Sequence, residues 1–258
     1  CGKEALQMLA RELALGECDA LLDDLIICFV PNINPDGNDD MAHDHRPGQD
    51  GPAEMGTRPN AQGLDMNRDW IKLEAPEAQS IVRFMREWDP AVVVDTHTTN
   101  GSHHRYVLTY QGPKHPASDP RLVEFARDTF LPEIDDRFEE ETDYNAFFYG
   151  NFADGHTKWT TYPASPRYGA AYRGLRNRIS ILSEAYAYAT FKDRVLATLE
   201  FCRAVLYESA EHKDVIETTI AQADRFNDTE EPREVALRAR AKAFPGRVSV
   251  MGYQEYDA

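Results

Sequence analysis

The stretch AVVVDTH at residues 91–97 decides the fold class of this chain. Its alanine and three valines form a continuous apolar run, which is typical of a strand buried on both faces of a parallel sheet. The run ends in Asp95 and His97, two polar side chains separated by one residue. Ligands of open α/β sheets bind beyond the carboxyl ends of the strands, so this strand end is a candidate site.

Helical and strand-like patterns alternate on both sides of this stretch. Apolar spacings of three and four residues predict helices at 3–15, 75–88, 120–137 and from about Asp193. Continuous apolar or β-branched runs predict further strands at 25–33, 104–110 and 178–186. The alternation predicts an α/β fold, with a mostly parallel, mixed and twisted sheet that has helices on both faces.

The alternation stops near residue 210, where the sequence becomes more charged. We expect one α/β domain over 1–210 and a helical extension, or the start of a further segment, over 211–258. The chain opens inside a predicted helix and closes on the strand-like RVSVMGYQEYDA at 247–258. These ends predict a fragment whose N-terminal strands are missing.

Composition excludes several classes of protein. The formal net charge of −16 argues against non-specific binding to nucleic acid, which needs a surface rich in Lys and Arg. No apolar run approaches the roughly 20 residues that span a bilayer, so no membrane span is predicted. None of the four cysteines forms a CxxC pair, and Cys28 and Cys202 are predicted to be small core residues.

Each polar strand end has a functional and a structural interpretation. His97 could bind zinc with the Asp95 carboxylate nearby, or it could be an unbound imidazole that caps the strand. Glu184 follows the apolar run ISIL, and burial would raise its pKa toward the range that suits a general base. Alternatively, Glu184 is neutralised by one of three nearby arginines: Arg173, Arg176 and Arg178.

Arg58 lies in the long polar loop 38–63, and Arg68 follows shortly after its end. Guanidinium groups bind carboxylates through paired hydrogen bonds, so Arg58 and Arg68 could hold a substrate carboxylate. The alternative is two solvated side chains in an acidic protein. His103 and His104 are adjacent, so at most one of them can face the same site as His97.

Four short motifs in this order resemble the zinc carboxypeptidase family, the funnel-shaped metallocarboxypeptidases and their bacterial relatives. The motifs are NPDG (34–37), GLDMNRDW (63–70) with Arg58 before it, VVDTHT (93–98) and SEAY (183–186). The resemblance extends from residue 2 to about residue 210. It implies a metalloprotease that uses Zn²⁺ to hydrolyse a C-terminal peptide or amide bond in a peptide or amino-acid-derived substrate with a free carboxylate.

The resemblance also implies roles for single residues. His97 matches the third zinc ligand of the family, and Glu184 matches the general base that acts on the zinc-bound water. Arg58 matches the arginine that polarises the scissile carbonyl. Asn67 and Arg68 match the pair that grips the substrate carboxylate.

The family also has a mobile tyrosine near the active site. Tyr162, Tyr168 and Tyr172 are all candidates in this chain, and Tyr162 has the closest spacing to Glu184.

The chain departs from the family pattern at the first two zinc ligands, which come from an HxxE motif. No HxxE occurs in this sequence. In related sequences the motif precedes a Gly-Lys-Glu-Ala helix start, which here stands at residues 2–5. We expect the missing His and Glu to lie upstream of Cys1. Residues 1–258 would then supply one of three zinc ligands and, by themselves, would hold no well-ordered catalytic zinc.

Two other functions stay open from the sequence. The first is a non-catalytic pseudo-enzyme that binds a carboxylate or a peptide. The second is a deacylase of small acylated amino acids on the same scaffold. The compartment is also open, with a secreted or periplasmic location as the preferred expectation.

Overall fold

The centre of the fold is a four-stranded sheet in a computed structural model that describes residues 1–99, 101–227, 236, 239 and 242–253. The described strands are β1 (Val92–Thr98), β2 (Leu108–Gln111), β3 (Ala146–Phe148), β4 (Asn151–Ala153), β5 (Lys158–Thr160) and β6 (Ile179–Ala185). The sheet order is β1-β6-β2-β3, and β4 and β5 form a separate antiparallel pair. The pairs β1–β6 and β2–β3 are parallel, whereas β2–β6 is antiparallel. The predicted mixed, mostly parallel α/β sheet is thus confirmed.

Helices lie against both faces of the sheet, Phe191–Glu211 on the face of the main core and Gly169–Gly174 on the other. They are α1 (Gly2–Ala14), α2 (Asp19–Asp24), α3 (Pro35–Asp39), α4 (Pro76–Trp88), α5 (Pro120–Phe125), α6 (Leu131–Glu141), α7 (Gly169–Gly174), α8 (Phe191–Glu211) and α9 (Lys213–Asn227). A π-helical turn at Ala126–Phe130 joins α5 to α6, so the helix predicted over 120–137 runs on to Glu141 with one irregular turn. No helix in the described ranges has the length and the apolar character to cross a bilayer.

The main core lies on one face of the sheet. Ile179 and Ile181 of β6 pack there with Phe201 of α8 and with buried side chains of α5 and α6. Ile216 of α9 belongs to the same core, so α9 packs onto the body of the domain. The division of the chain at residue 210 remains a prediction. Successive side chains of a strand point to opposite faces, so Ser180, between these isoleucines, and Glu184, four residues later, project from the other face.

The prediction of a buried strand at 25–33 is wrong. These residues form no strand, Ile26 is 85% exposed, and Cys28 is exposed rather than part of the core. Ile27 and Phe29 of this segment and Val92 of β1 line a common cavity of about 920 Å³. Within the described residues, β1 is therefore an edge strand. A strand needs a hydrogen-bonding neighbour, and an apolar run in the sequence does not reveal whether that neighbour is present.

Candidate active site at the carboxyl ends of β1 and β6

The site is built on one register contact. His97 of β1 and Glu184 of β6 are Cα partners in the parallel pair, so their side chains project side by side from the same face. Asp95, two residues before His97, lies on that face as well. On the other side of β6, Thr109 of β2 is the Cα partner of Glu184. Strands β1 and β6 thus bring one imidazole and two carboxylates to a single sheet face.

Asp95 is held between two cationic side chains. Its Oδ1 lies 2.9 Å from Nε2 of His97, and its Oδ2 accepts a hydrogen bond of 2.9 Å from Nη1 of Arg173 on α7. Burial alone would raise the pKa of Asp95, but His97 and Arg173 hold it well below its ordinary range. The guanidinium carbon of Arg173 also lies 4.3 Å from the ring centroid of Trp70. Asp95 is therefore a fixed anion next to His97.

Gly169 makes this arrangement possible. A Cβ atom at this position would lie 2.8 Å from Oδ2 of Asp95 and 3.0 Å from Nε1 of Trp70. Real side chains do not approach that closely, so any other residue at the start of α7 would push Asp95 or Trp70 out of place. The glycine is needed for close packing here and not for an unusual backbone angle.

The environment of His97 suits a metal ligand. Burial alone would lower the pKa of His97, but the neighbouring Asp95 carboxylate raises it to about 9. A carboxylate behind the imidazole is the usual partner of a metal-binding histidine, because it orients the ring and increases its basicity. Asp95 faces Nε2, which leaves Nδ1 as the ring nitrogen that could bind a metal. A metal would have to displace the proton, so binding there would release one.

Glu184 has the properties of a general base. Burial raises the pKa of its carboxyl group to about 7, and the negative charge of Asp95 adds to this, while His97 and Arg58 act in the opposite direction. Two of the arginines that could have neutralised Glu184 bind other carboxylates. Arg173 binds Asp95, and Arg178 binds Asp89 and Asp224.

The predicted carboxylate-binding residues Asn67 and Arg68 lie on a 3₁₀-helical turn, Met66–Arg68. Nε of Arg58 lies 2.7 Å from Oδ2 of Asp65, and Oδ1 of the same carboxylate accepts a hydrogen bond of 2.9 Å from the Asn67 backbone N–H. Oδ1 of Asn67 accepts a hydrogen bond of 3.1 Å from the Gly169 backbone N–H. The exposed Arg68 donates from Nη1 to the Asn67 carbonyl at 2.8 Å. Asp65 thus links Arg58 to the turn, and Asn67 links the turn to α7.

A group of tyrosines borders the site. The ring of Tyr162 lies edge-on to Tyr149 and Tyr168, with centroid distances of 5.6 and 5.2 Å. Burial raises the pKa of Tyr162, with further contributions from the charges of Glu184 and Asp95. The guanidinium carbon of Arg68 lies 4.6 Å from the Tyr168 ring centroid. Tyr162 is therefore near both the predicted base and the predicted carboxylate clamp.

The third candidate, Tyr172, has a different environment, because its ring packs against Trp70 with a centroid distance of 5.8 Å. Tyr149 was not predicted as a residue of the site. A signal for it was present in the chain, since Tyr149 directly follows the carboxyl end of β3, and ligand sites collect beyond such strand ends.

The described residues complete no metal site around His97. In those ranges, one group of three potential ligands lies close enough together to bind an ion, and it consists of Glu133, Glu208 and His212. It lies on α6, α8 and the residue after α8, and Arg137 already contacts Glu208 through Nε at 2.5 Å. By its carboxylate partner and its place at a strand end, His97 nevertheless fits as one ligand of a zinc ion.

The chain belongs to the zinc carboxypeptidase family, whose model matches residues 1–168. The resemblance seen in the motifs is confirmed by this match. The matched region includes His97, Arg58, Asn67, Arg68 and Tyr162, whereas Glu184 lies beyond its end. No curated protein sequence matches the chain at a significant level.

Solved structures that share the fold include two proteins with a TM-score of 0.57. One is a metallo-carboxypeptidase from Pseudomonas aeruginosa in complex with (2-guanidinoethylmercapto)succinic acid, with 20% identity and a TM-score of 0.57 over 83% of this chain and 54% of that chain. The other is a carboxypeptidase A-type protein from Shewanella denitrificans OS-217, with 17% identity, a TM-score of 0.57 and the same two coverages. The chain thus spans about half the length of each.

Proposed function

We propose that the protein is a zinc-dependent hydrolase of C-terminal peptide or amide bonds whose substrates carry a free carboxylate. The observation that carries this proposal is the pairing of His97 with Glu184 across β1 and β6. A metal-type histidine with a carboxylate behind it and a half-buried glutamate beside it are the two groups that metal-assisted hydrolysis requires. Membership of the zinc carboxypeptidase family supports the same chemistry.

Glu184 would act as the general base and then as the general acid. Because the pKa of its carboxyl group is about 7, a large fraction of Glu184 is ionised at neutral pH. The ionised carboxylate is also basic enough to accept a proton. The carboxylate takes a proton from the attacking water as the water oxygen bonds to the carbonyl carbon. When the C–N bond breaks, the same proton passes to the leaving amine. Bound zinc would lower the pKa of water and polarise the carbonyl.

Arg58 would stabilise the negative charge that develops on the carbonyl oxygen. Its guanidinium is 48% exposed, is oriented by Asp65 and is close enough to Glu184 to lower the pKa of that carboxyl group. A fixed cation next to the reacting carbonyl stabilises the transition state more than the ground state, because the charge appears only as the bond forms.

Asn67 and Arg68 would recognise the terminal carboxylate. The Asn67 side-chain oxygen already accepts from Gly169, which leaves the amide NH₂ as the available donor. Arg68 is exposed and lies against the Tyr168 ring, which limits the directions its guanidinium can take. The succinic acid compound bound to the Pseudomonas aeruginosa enzyme is itself a dicarboxylate, which fits a site that recognises such groups.

The proposal is tested by changing Glu184 to Gln in the zinc-loaded full-length protein. We expect E184Q to retain zinc and to lose at least ~1000-fold in kcat on an N-blocked dipeptide with a free carboxylate, because it lacks a base. Glu124→Gln, on the exposed face of α5, is the matched control. If E184Q keeps its zinc and wild-type turnover, the protein is a carboxylate binder or works by other chemistry.

A further inference from the structure

We infer that Lys114 is a positioning residue for recognition of the substrate carboxylate and that it acts through Tyr162. The inference rests on the proposed function, because it concerns the same site. Lys114 follows the end of β2 by three residues and is half-buried. It does not belong to any of the motifs that indicate the family.

The Lys114 ammonium group is fully engaged by one segment of chain. Nζ donates a hydrogen bond of 2.7 Å to the Tyr162 carbonyl and one of 2.9 Å to Oγ1 of Thr161. The same Nζ lies 3.5 Å from the centroid of the Tyr162 ring, which is the geometry of a cation–π contact. An ammonium group has three donors, and these contacts account for all of them. Lys114 is thus suited to hold Tyr162 rather than to bind substrate directly.

The residues around Lys114 are closely packed. A Cβ atom on Gly174 would lie 2.8 Å from Cβ of Pro113, so the residue before Lys114 packs directly against the end of α7. Oε1 of Gln111, the last residue of β2, accepts a hydrogen bond of 3.3 Å from the Thr161 hydroxyl. The strand end and the helix end therefore fix Lys114 in place, and Lys114 in turn fixes the segment that carries Tyr162.

The contacts continue from Tyr162 to the predicted clamp. The Tyr162 ring meets the Tyr168 ring edge-on at 5.2 Å, and the Arg68 guanidinium lies over the Tyr168 ring at 4.6 Å. Edge-to-face ring pairs and cation–π contacts both depend on orientation. A shift of Tyr162 would therefore be passed to Tyr168 and would alter the position of Arg68.

The energetic cost of Lys114 supports a role in the site. Burial lowers the pKa of its ammonium group to about 7, so the position disfavours the charge that the cation–π contact requires. An exposed lysine could join two loops without this cost. Ionisable groups kept in such unfavourable environments are enriched at functional sites.

The test compares Lys114→Met with Lys158→Met in the zinc-loaded full-length protein. Lys158 is 66% exposed on β5 and binds Asp154, so it is a lysine from the same region without a link to the site. With an N-blocked dipeptide that has a free carboxylate, we expect K114M to raise KM by ~10-fold with kcat changed less than ~2-fold. Lys114→Arg, which keeps the cation, should recover most of the loss, and K158M should match the wild type.

A double-mutant cycle shows whether Lys114 acts through Tyr162. In a Tyr162→Ala background, K114M should raise KM by less than ~2-fold, because the group it positions is gone. An equal KM effect in both backgrounds would overturn the inference. So would a lower Tm for K114M with KM unchanged, because Lys114 would then serve stability alone.

A second measurement separates this inference from the proposed function. If the wild-type protein hydrolyses no such substrate, the proposed function fails, and positioning is then tested by amide hydrogen exchange of residues 161–168. We expect exchange to be ~10-fold faster in K114M than in K158M, because the segment loses its anchor. Equal exchange in the two variants would refute the positioning role whatever the outcome for activity.

Discussion

His97 and Glu184 are direct partners across β1 and β6, and both lie on the sheet face opposite the main core. The apolar packing of Ile179 and Ile181 fixes the register of β6 and therefore sets which residue of β6 stands next to His97. A slip of one residue would send Glu184 to the opposite face. Packing on one side of the sheet thus controls the chemistry on the other.

The first prediction is that Glu184 reduces stability. The pKa of Glu184 is about 7 in the folded state, above the ordinary value of about 4.3. Between these two pH values, the metal-free native state holds a proton on Glu184 that the unfolded state has lost. The contribution of Glu184 to stability is therefore most favourable below about pH 4, and this contribution is lost as the pH rises through 7. At pH 8, we expect metal-free E184Q to exceed the wild type by on the order of 2 kcal/mol in urea unfolding. Equal unfolding free energies at pH 8 would show that Glu184 is not strained.

The second prediction concerns the Arg173–Asp95 pair. Replacing Arg173 by Met leaves a buried carboxylate with one partner fewer, which typically costs about 3 kcal/mol. We expect R173M to lower the free energy of unfolding by this amount. The double variant R173M/D95N should recover part of the lost stability, because it no longer buries an unpaired carboxylate. Arg176→Met, on the exposed residue three positions further on, is the control and should unfold like the wild type. The measurement is equilibrium denaturation at pH 7.

The third prediction is for Gly169→Ala. The added methyl would lie 2.8 Å from Oδ2 of Asp95, so either the carboxylate or α7 must move. We expect a loss of about 1–3 kcal/mol in stability, which is typical of overpacking, together with a lower kcat/KM. Gly48→Ala is the matched control because no heavy atom lies within 4 Å of the added Cβ. A G169A variant as stable and active as G48A would contradict the close packing at the start of α7.

The fourth prediction is a pH effect far from the site. Tyr110 donates a 2.9 Å hydrogen bond to Oδ2 of Asp135, and burial raises the pKa of this carboxyl group to about 6. The native state therefore favours protonated Asp135, and stability falls as the pH rises from about 4 to 6. Asp135→Asn should remove this fall and add about 1 kcal/mol at pH 8, after allowance for solvent screening. Urea unfolding of both proteins at pH 4 and pH 8 measures the difference, which should be confined to the higher pH.

The fifth prediction concerns zinc. A single imidazole cannot hold zinc at useful affinity, because protein sites for this ion use three or four ligands. In isothermal titration, residues 1–258 should bind no stoichiometric zinc at His97, and His97→Ala should leave the isotherm unchanged. A tight site abolished by H97A would show that other residues of this chain complete the ligand set.

The strand ends of the site were predictable from sequence, whereas their supporting contacts were not. The apolar runs before His97 and Glu184 identify both strands, because buried parallel strands need such runs. The partner of Asp95 could not be read in the same way, since Arg173 approaches it only after α7 packs onto the sheet. Local sequence carries no information on that approach, and Lys114 was missed for the same reason.

The segment 25–33 is a case in which the sequence predicted a feature that the structure lacks. Its apolar run has the same character as that of β1, but the structure leaves it without a neighbouring strand. An apolar run indicates that burying the segment would stabilise the fold. Whether it is buried depends on the rest of the sheet.

The order of the strands has a consequence for folding. β6 is the last strand of the described sheet in sequence, yet it lies in the middle, between β1 and β2. Its pairing with β1 closes a long loop, and such contacts form slowly. During synthesis, His97 would leave the ribosome well before Glu184, and the proposed base would join the histidine only when β6 inserts between β1 and β2. The nascent chain would therefore lack the proposed hydrolytic pair until β6 has been synthesised and has paired with β1.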